Sequence, residues 1–478
     1  MRGIRIVLFL LVWASCSWFG SWEYNPNSAT RLFAAISLVE DGDAIIDDFA
    51  DLTIDKARFG DHFYLDKAPG MTLMALPAVA IANAVTGEKS ATMAKISGLV
   101  DITRFLRLRL RLAVATGPAV LTGLAAVMLF DLGLALTGSA AAGLFVALGF
   151  ALGTPAWGWS TTILGHAPVA ALFVIAVWGV MRTSRWGAVL TGMALGWAVG
   201  IEYQAALAGG AIALWAMWRW RGDPRLGWLA ACAIVGAIVA LLPVAAYNLI
   251  AFGTPWRVGY SGVVGWEGMQ QGVFGLGIPK PTVLREIVLG TRRGMIWVAP
   301  ILLLAPLGLV ACWDRRGQRD LAVMIVAVTL VVLLVNAAYV YWDGGNSTGP
   351  RLAMPLVGML AIGLAPAWVT LPRAGRIGAA ILLALSIALN AAIAAADIFA
   401  PPQFAFPVWS DVLAGRFAAG EIVSIGSDYL GLSQWTSFAV WVLGAMPAIG
   451  WLAMRARRAY PVAVRVTGAS GSPQGSAG

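Results

Sequence analysis

The chain has 478 residues, of which 59% are hydrophobic and only 12% charged, with 22 Trp and a mean hydropathy of +0.79. It is too apolar for soluble domains and too long for one or two membrane spans, which leaves a polytopic, all-α membrane protein. The formal net charge of +9 does not argue for nucleic acid, because the basic residues sit in short clusters between apolar runs, as the positive-inside rule places them on cytoplasmic loops.

At the start, Arg2 and Arg5 precede "IVLFLLVWASCSWFG". Small residues follow the apolar stretch, as in a signal peptide, but the many apolar runs downstream favour a first transmembrane helix with its N-terminus inside. Runs long enough to cross ~30 Å of hydrocarbon follow near 4–20, 112–136, 161–181, 226–251, 294–312, 321–341, 352–370, 376–397 and 434–454. The run 187–220 holds two spans broken at "GIEYQ". Two marginal runs, 69–86 and 139–156, remain. Only one of them can cross if "RTSR" (182–185), "RWRGDPR" (219–225), "WDRRGQR" (313–319), "RAGR" (373–376) and "RARR" (455–458) are all cytoplasmic. Charge alone favours 69–86, which would put "RFLRLRLR" (104–111) inside. Either choice gives about twelve spans, over residues 1–454, with 455–478 a cytoplasmic tail that "GASGSPQGSAG" marks as disordered. Cys16, Cys232 and Cys312 all fall in apolar runs. Their odd number argues against a disulfide framework, and we read them as packing residues.

The exported face then consists of 21–67, a turn near His166, the loop 252–293, the turn "DGGNSTGPR" (343–351) and 398–430. Segment 21–67 carries ten of the chain's 24 acidic residues. Asp41, Asp43, Asp47, Asp48 and Asp51 read as the polar groups of a solvated loop. Asp55 and Asp66 differ, since each is followed by a lysine, and "LDKAPG" abuts apolar sequence at the membrane. A carboxylate there is partly desolvated and rises in pKa unless Lys67 holds it ionised, which is how a general base is kept poised. Arg351 ends the glycine-rich turn at the mouth of the next span, where an arginine can grip a phosphate bidentately or merely snorkel. Arg293, in "TRRGMIWVAP", repeats that arrangement. Glu202 sits where a long apolar run breaks, and an ionisable group at that depth faces a cavity or a partner. His62 and His166 lack any zinc spacing, and no Walker A, dinucleotide or GxSxG sequence is present. Carboxylates and cations on the exported membrane surface suit transfer from a lipid-linked phosphate donor. By themselves they fit an anion transporter as well.

The succession "SATRLFAAISLVEDGD", "TIDKARFGDHFYLDKAPG", "STTILGHAPVAALF", "GIEYQAAL", "YNLIAFGTPW", "RRGMIWVAPILLLAPLGL" and "WDGGNSTGPRLAMP" resembles a bacterial branch of the GT-C integral membrane glycosyltransferases. More distantly it is similar to protein mannosyltransferases and lipid A aminoarabinose transferases. The resemblance covers roughly residues 1–370. It implies a polyprenyl-phosphate-linked sugar as donor, transfer with inversion on the exported side, and a lipid, glycan or protein acceptor. It also implies residence in the bacterial inner membrane with both termini cytoplasmic. The first exported loop, 21–111, would carry juxtamembrane helices, making 69–86 interfacial, 139–156 a true span and "RFLRLRLR" an exported basic strip. By position Lys67 would contact the donor phosphate with Asp66 beside it. Arg351 would be a second phosphate ligand, with Arg293 and Arg31 counted among the phosphate-binding cations. His166 stands where relatives place a second acid, and Glu202, Tyr203 and His62 would support the site. Relatives usually carry an acidic pair soon after the first span, where this chain reads "NPNSATR". The base is therefore left to Asp55, Asp66 or Glu23, and no metal or other cofactor is expected. The rival reading is a transporter or flippase for an anionic or lipid-linked glycan, for which the sequence lacks internal symmetry.

Overall fold

The structure, a computed structural model, describes residues 1–20, 25–93 and 98–459. Glu23 and the tail from 460 onward lie outside the described residues. Among the described residues six helices are long and apolar enough to cross a membrane, and shorter apolar helices stand among them. The break expected at "GIEYQ" is present: Arg185–Ile201 ends at Glu202, and Ala205–Trp220 follows. The span expected at 294–312 is broken, because Pro300 divides it into Met295–Val298, Pro300–Leu304 and Ala305–Trp313.

Both marginal runs are helical, Gly70–Thr86 and Ala140–Ala151. The second folds back on Pro118–Thr137 through a two-residue turn. Gly138 takes φ +71, which a side chain would resist, and the Ser139 hydroxyl caps the next helix by accepting from the Ala142 N–H at 3.2 Å. Small residues set the closest helix contacts. In "TGMALGWAVG" Gly192 and Gly196 lie four apart, and a Cβ on Gly192 would fall 1.8 Å from the Ala233 carbonyl oxygen. The helices Arg185–Ile201 and Leu226–Phe252 therefore meet backbone to backbone, the way transmembrane helices associate where lipid supplies no hydrophobic drive. Leu226–Phe252 leaves Ile234, Ile238, Leu242 and Leu249 more than half exposed, as a lipid-facing surface requires.

Charge sorts the two ends of the bundle. Arg5 and Arg182 both pair with Asp131, at 2.8 and 3.6 Å. Arg219 and the Trp215 indole both bond Asp320, Arg225 reaches the Thr183 carbonyl, and Gly3 lies beside Trp451. Four of the five basic clusters expected on one face thus gather at one end. At the other end His166 begins the helix that closes next to Arg182, and Glu202 caps the helix that Arg185 starts. There the chain between the first two long helices folds into Pro26–Glu40, a short turn at Asp47–Leu52, a hairpin pairing Ala57–Phe59 with His62–Tyr64, then Gly70–Thr86 and Gly98–Thr116.

The "RFLRLRLR" strip departs from expectation. Rather than a wholly exported surface, it lies in the helix Gly98–Thr116 with Arg109 and Arg111 buried. Arg109 stacks on Phe105 and bonds the Asn83 side-chain oxygen at 2.6 and 3.0 Å, and Arg111 pairs with Asp428 at 2.8 Å. Basic residues on the inner face of a helix serve as staples when carbonyl and carboxylate oxygens meet them.

Candidate active site

The helix Pro26–Glu40 begins with Asn25, whose side-chain oxygen accepts from the Asn27 N–H, and Pro26 preset for the first turn. One turn on, Arg31 is 1% exposed. Its guanidinium donates to the Asn27 carbonyl at 2.8 Å and to the Asn27 side chain, and reaches Glu202 at 3.5 Å. The Arg31 carbonyl accepts from the Thr72 hydroxyl at 3.0 Å, tying this helix to Gly70–Thr86. The Thr53 hydroxyl accepts from the Asp55 N–H at 3.0 Å and so sets the turn that presents Asp55.

Lys67 Nζ sits between two acids, 3.7 Å from Asp55 Oδ1 and in direct contact with Asp66 Oδ2. Asp66 is 1% exposed and its Oδ1 has no hydrogen-bond partner. Burial pushes the Asp66 carboxyl above the usual carboxylate range, opposed by the Lys67 ammonium and reinforced by Asp55.

Arg351 enters from the start of the twenty-residue stretch Arg351–Thr370, just before the helix Met354–Ile362. Gly344, at φ +70, packs flat on it, since a Cβ there would fall 2.8 Å from Arg351 Nε. That Nε has no hydrogen-bond partner, and among the described residues Arg351 makes no ion pair.

These groups share one cavity of about 390 Å³, lined by Arg31, Asp55, Asp66, Lys67, His166, Glu202 and Arg351 together with Asn25, Asn27 and Asp343. Side chains from five distant parts of the chain therefore converge at one end of the bundle. A small apolar recess of about 40 Å³ continues from His166 and Glu202 between Phe173, Val331 and Val335.

Three residues expected in the site stand apart from it. His62 lies on the hairpin, exposed, with Nδ1 2.7 Å from Asp47. That bond raises its pKa above the ordinary histidine value. His62→Ala is expected to leave any activity of this site within about twofold of wild type, as surface substitutions do, checked by initial rates. Tyr203 is next to the cavity rather than on it, packed edge-on against Tyr260 at 5.4 Å. Arg293 is 1% exposed and holds the turn instead of facing the cavity: it donates to the carbonyls of Asp343 at 2.7 Å, Ser347 at 2.8 Å and Gly345 at 2.6 Å. Charge-assisted bonds of this kind contribute roughly 1.5–3 kcal/mol each. Arg293→Ala is expected to lower the melting temperature in detergent by several degrees and to reduce activity only in proportion to folded protein.

Sequence reasoning did not single out Tyr260, Trp266, Met269, Tyr339 and Tyr341, which form the opposite wall. Their signal is the aromatic content of an exported loop too long to be a connector. Among the described residues no three His, Cys, Asp or Glu side chains group as a metal site requires.

No family model and no curated protein matches the chain. Among solved structures it is similar to ArnT from Cupriavidus metallidurans bound to undecaprenyl phosphate, with a TM-score of 0.53 at 16% identity over 95% of this chain and 77% of that one. The likeness is one of architecture, and it gives this chain the GT-C-like fold that the motif order resembles.

Proposed function

We propose that the chain is a membrane glycosyltransferase that moves a sugar from a polyprenyl-phosphate donor to a hydroxyl acceptor on the exported face, with inversion, in a body crossing the bilayer about twelve times. The observation that carries this reading is Arg351, a guanidinium without a carboxylate partner, in the same cavity as the Asp55–Lys67–Asp66 cluster. The end of the bundle that gathers the basic clusters would face the cytoplasm and the cavity the outside. A structure of the same fold is bound to undecaprenyl phosphate, which supports a polyprenyl-phosphate donor here.

The acceptor oxygen attacks the anomeric carbon as the bond from that carbon to the phosphate oxygen breaks, and the hydroxyl proton passes to Asp55. The polyprenyl phosphate leaves with one more negative charge than it had as a diester. Arg351 and Lys67 meet that new charge, so they stabilise the transition state more than the ground state. Asp55 is the better base of the two acids. Asp66 has one oxygen on Lys67 and the other sealed, whereas Asp55 makes only the 3.7 Å ion pair. Asp66 then acts as a positioning residue for Lys67.

Purified protein in detergent, given a polyprenyl-phosphate sugar and a lipid hydroxyl acceptor, should form a covalent glycosylated product. Movement of the donor across sealed vesicles with no such product would replace the enzyme with a transporter.

A further inference from the structure

We propose that the aromatic wall facing the carboxylates is the sugar subsite and that it admits a sugar ring without an acidic substituent; the inference rests on the transferase reading and deepens it. The wall is built, not incidental. The loop that carries it is fastened on one side to the hairpin, where Val263 bridges Ala57 and the Val264 N–H donates to the Lys56 carbonyl at 3.1 Å. On the other side Leu276 bridges Tyr339 and the Gly277 N–H donates to the Ala338 carbonyl at 2.9 Å. Within it the Tyr341 hydroxyl accepts from the Gly268 N–H at 3.1 Å, and Trp266 meets Tyr341 nearly perpendicular with ring centres 5.0 Å apart. Trp266 and Tyr341 are only part-buried and line the cavity, so each keeps ring surface available to a ligand. A pyranose or furanose offers C–H bonds on one face, which pack on an aromatic ring, and hydroxyls on its edge for the polar floor opposite.

Charge sets the class of sugar. Every carboxylate lining the cavity already faces a cation: Asp55 and Asp66 face Lys67, Glu202 faces Arg31, and Asp343 faces Arg292 at 2.7 Å. Among the lining cations only Arg351 has no acid of its own, and it matches the single charge of a phosphodiester. A uronic acid would add a negative charge with no cation to receive it, whereas an amino sugar meets no such penalty, since Asp55 and Asp66 share the single ammonium of Lys67. An unpaired charge in such a pocket is costly.

The test measures binding of the full chain in detergent to three probes: polyprenyl phosphate alone, and polyprenyl phosphate bearing a neutral hexose or a hexuronic acid. The neutral conjugate is expected to bind at least about tenfold tighter than the acidic one. Trp266→Ala should lose about tenfold in affinity for the neutral conjugate while binding polyprenyl phosphate within about twofold of wild type, which also shows that it folds; Trp266→Phe should recover most of the loss. Equal binding of the hexuronic conjugate, or equal weakening of Trp266→Ala toward all three probes, overturns the subsite. A wild-type protein that binds the neutral conjugate no better than polyprenyl phosphate alone also overturns it, with the transferase reading intact. Failure of the wild type to bind polyprenyl phosphate at all removes the transferase reading itself.

Discussion

Arg351→Ala is expected to lower turnover with a polyprenyl-phosphate sugar by about 10²–10³-fold, the usual cost of removing one preorganised group that meets developing charge. The protein should still insert and fold, because among the described residues Arg351 makes no ion pair that the variant would strand. Neutralising an unpartnered, partly buried cation relieves a desolvation cost, so the melting temperature should hold or rise while activity falls. Few catalytic substitutions carry that opposite sign, and it separates a ligand-binding arginine from a structural one such as Arg293. Arg351→Lys should recover only part of the activity, since an ammonium lacks the planar fork that meets two phosphate oxygens. Gly344→Ala offers an uncharged route to the same defect: φ +70 disfavours the new side chain, and its Cβ would displace the guanidinium. An Arg351→Ala enzyme with wild-type turnover, measured by product formation on isolated membranes and again on purified protein, would remove the phosphate ligand from the mechanism.

The fold was legible because the hydrophobic pattern and the charge clusters are set by the bilayer itself. Apolar length marks the spans, and Arg182, Arg219 and Arg225 announce their end of the bundle before any contact is known. The polar floor was legible for a related reason: Asp66, Lys67, Glu202 and Arg351 are expensive at that depth, so their presence in an oily chain points to a cavity. Arg293 and Arg109 show where this reasoning stops. They look the same in sequence as Arg351, yet they are satisfied internally, by carbonyls of the 343–347 turn and by Asn83. Only tertiary contacts distinguish a cation that holds the protein from one that awaits a ligand. The aromatic wall was invisible for the opposite reason: Tyr and Trp are ordinary at a membrane interface, and nothing local in "RVGYSGVVGWEGMQ" shows that Tyr260 and Trp266 turn inward.

The two aspartates beside Lys67 should separate in kinetics. Asp55→Asn keeps the shape of the side chain and removes its basicity, so kcat should fall by about 10²–10⁴-fold with the donor KM nearly unchanged. Asp66→Asn leaves the proposed base in place but loosens Lys67, which in the proposed mechanism contacts the donor phosphate in the ground state as well as the transition state. Its larger effect should therefore fall on KM for the donor. The pH profile adds a second readout. Burial raises the Asp66 carboxyl above the usual range, so its neutral form is the one that folding favours. Taken alone, its contribution to stability is full below the ordinary aspartate value of about 3.9 and is lost as pH rises through the raised one. Activity runs the other way, because a protonated Asp66, like Asp66→Asn, releases Lys67 and weakens the hold on the donor phosphate proposed for it. The acid limb of kcat/KM should accordingly sit above the ordinary aspartate value while the protein remains folded across that limb. Equal losses in kcat for both variants, with no change in either KM, would mean that the two carboxylates act as one unit and that the division of labour assigned to them is wrong.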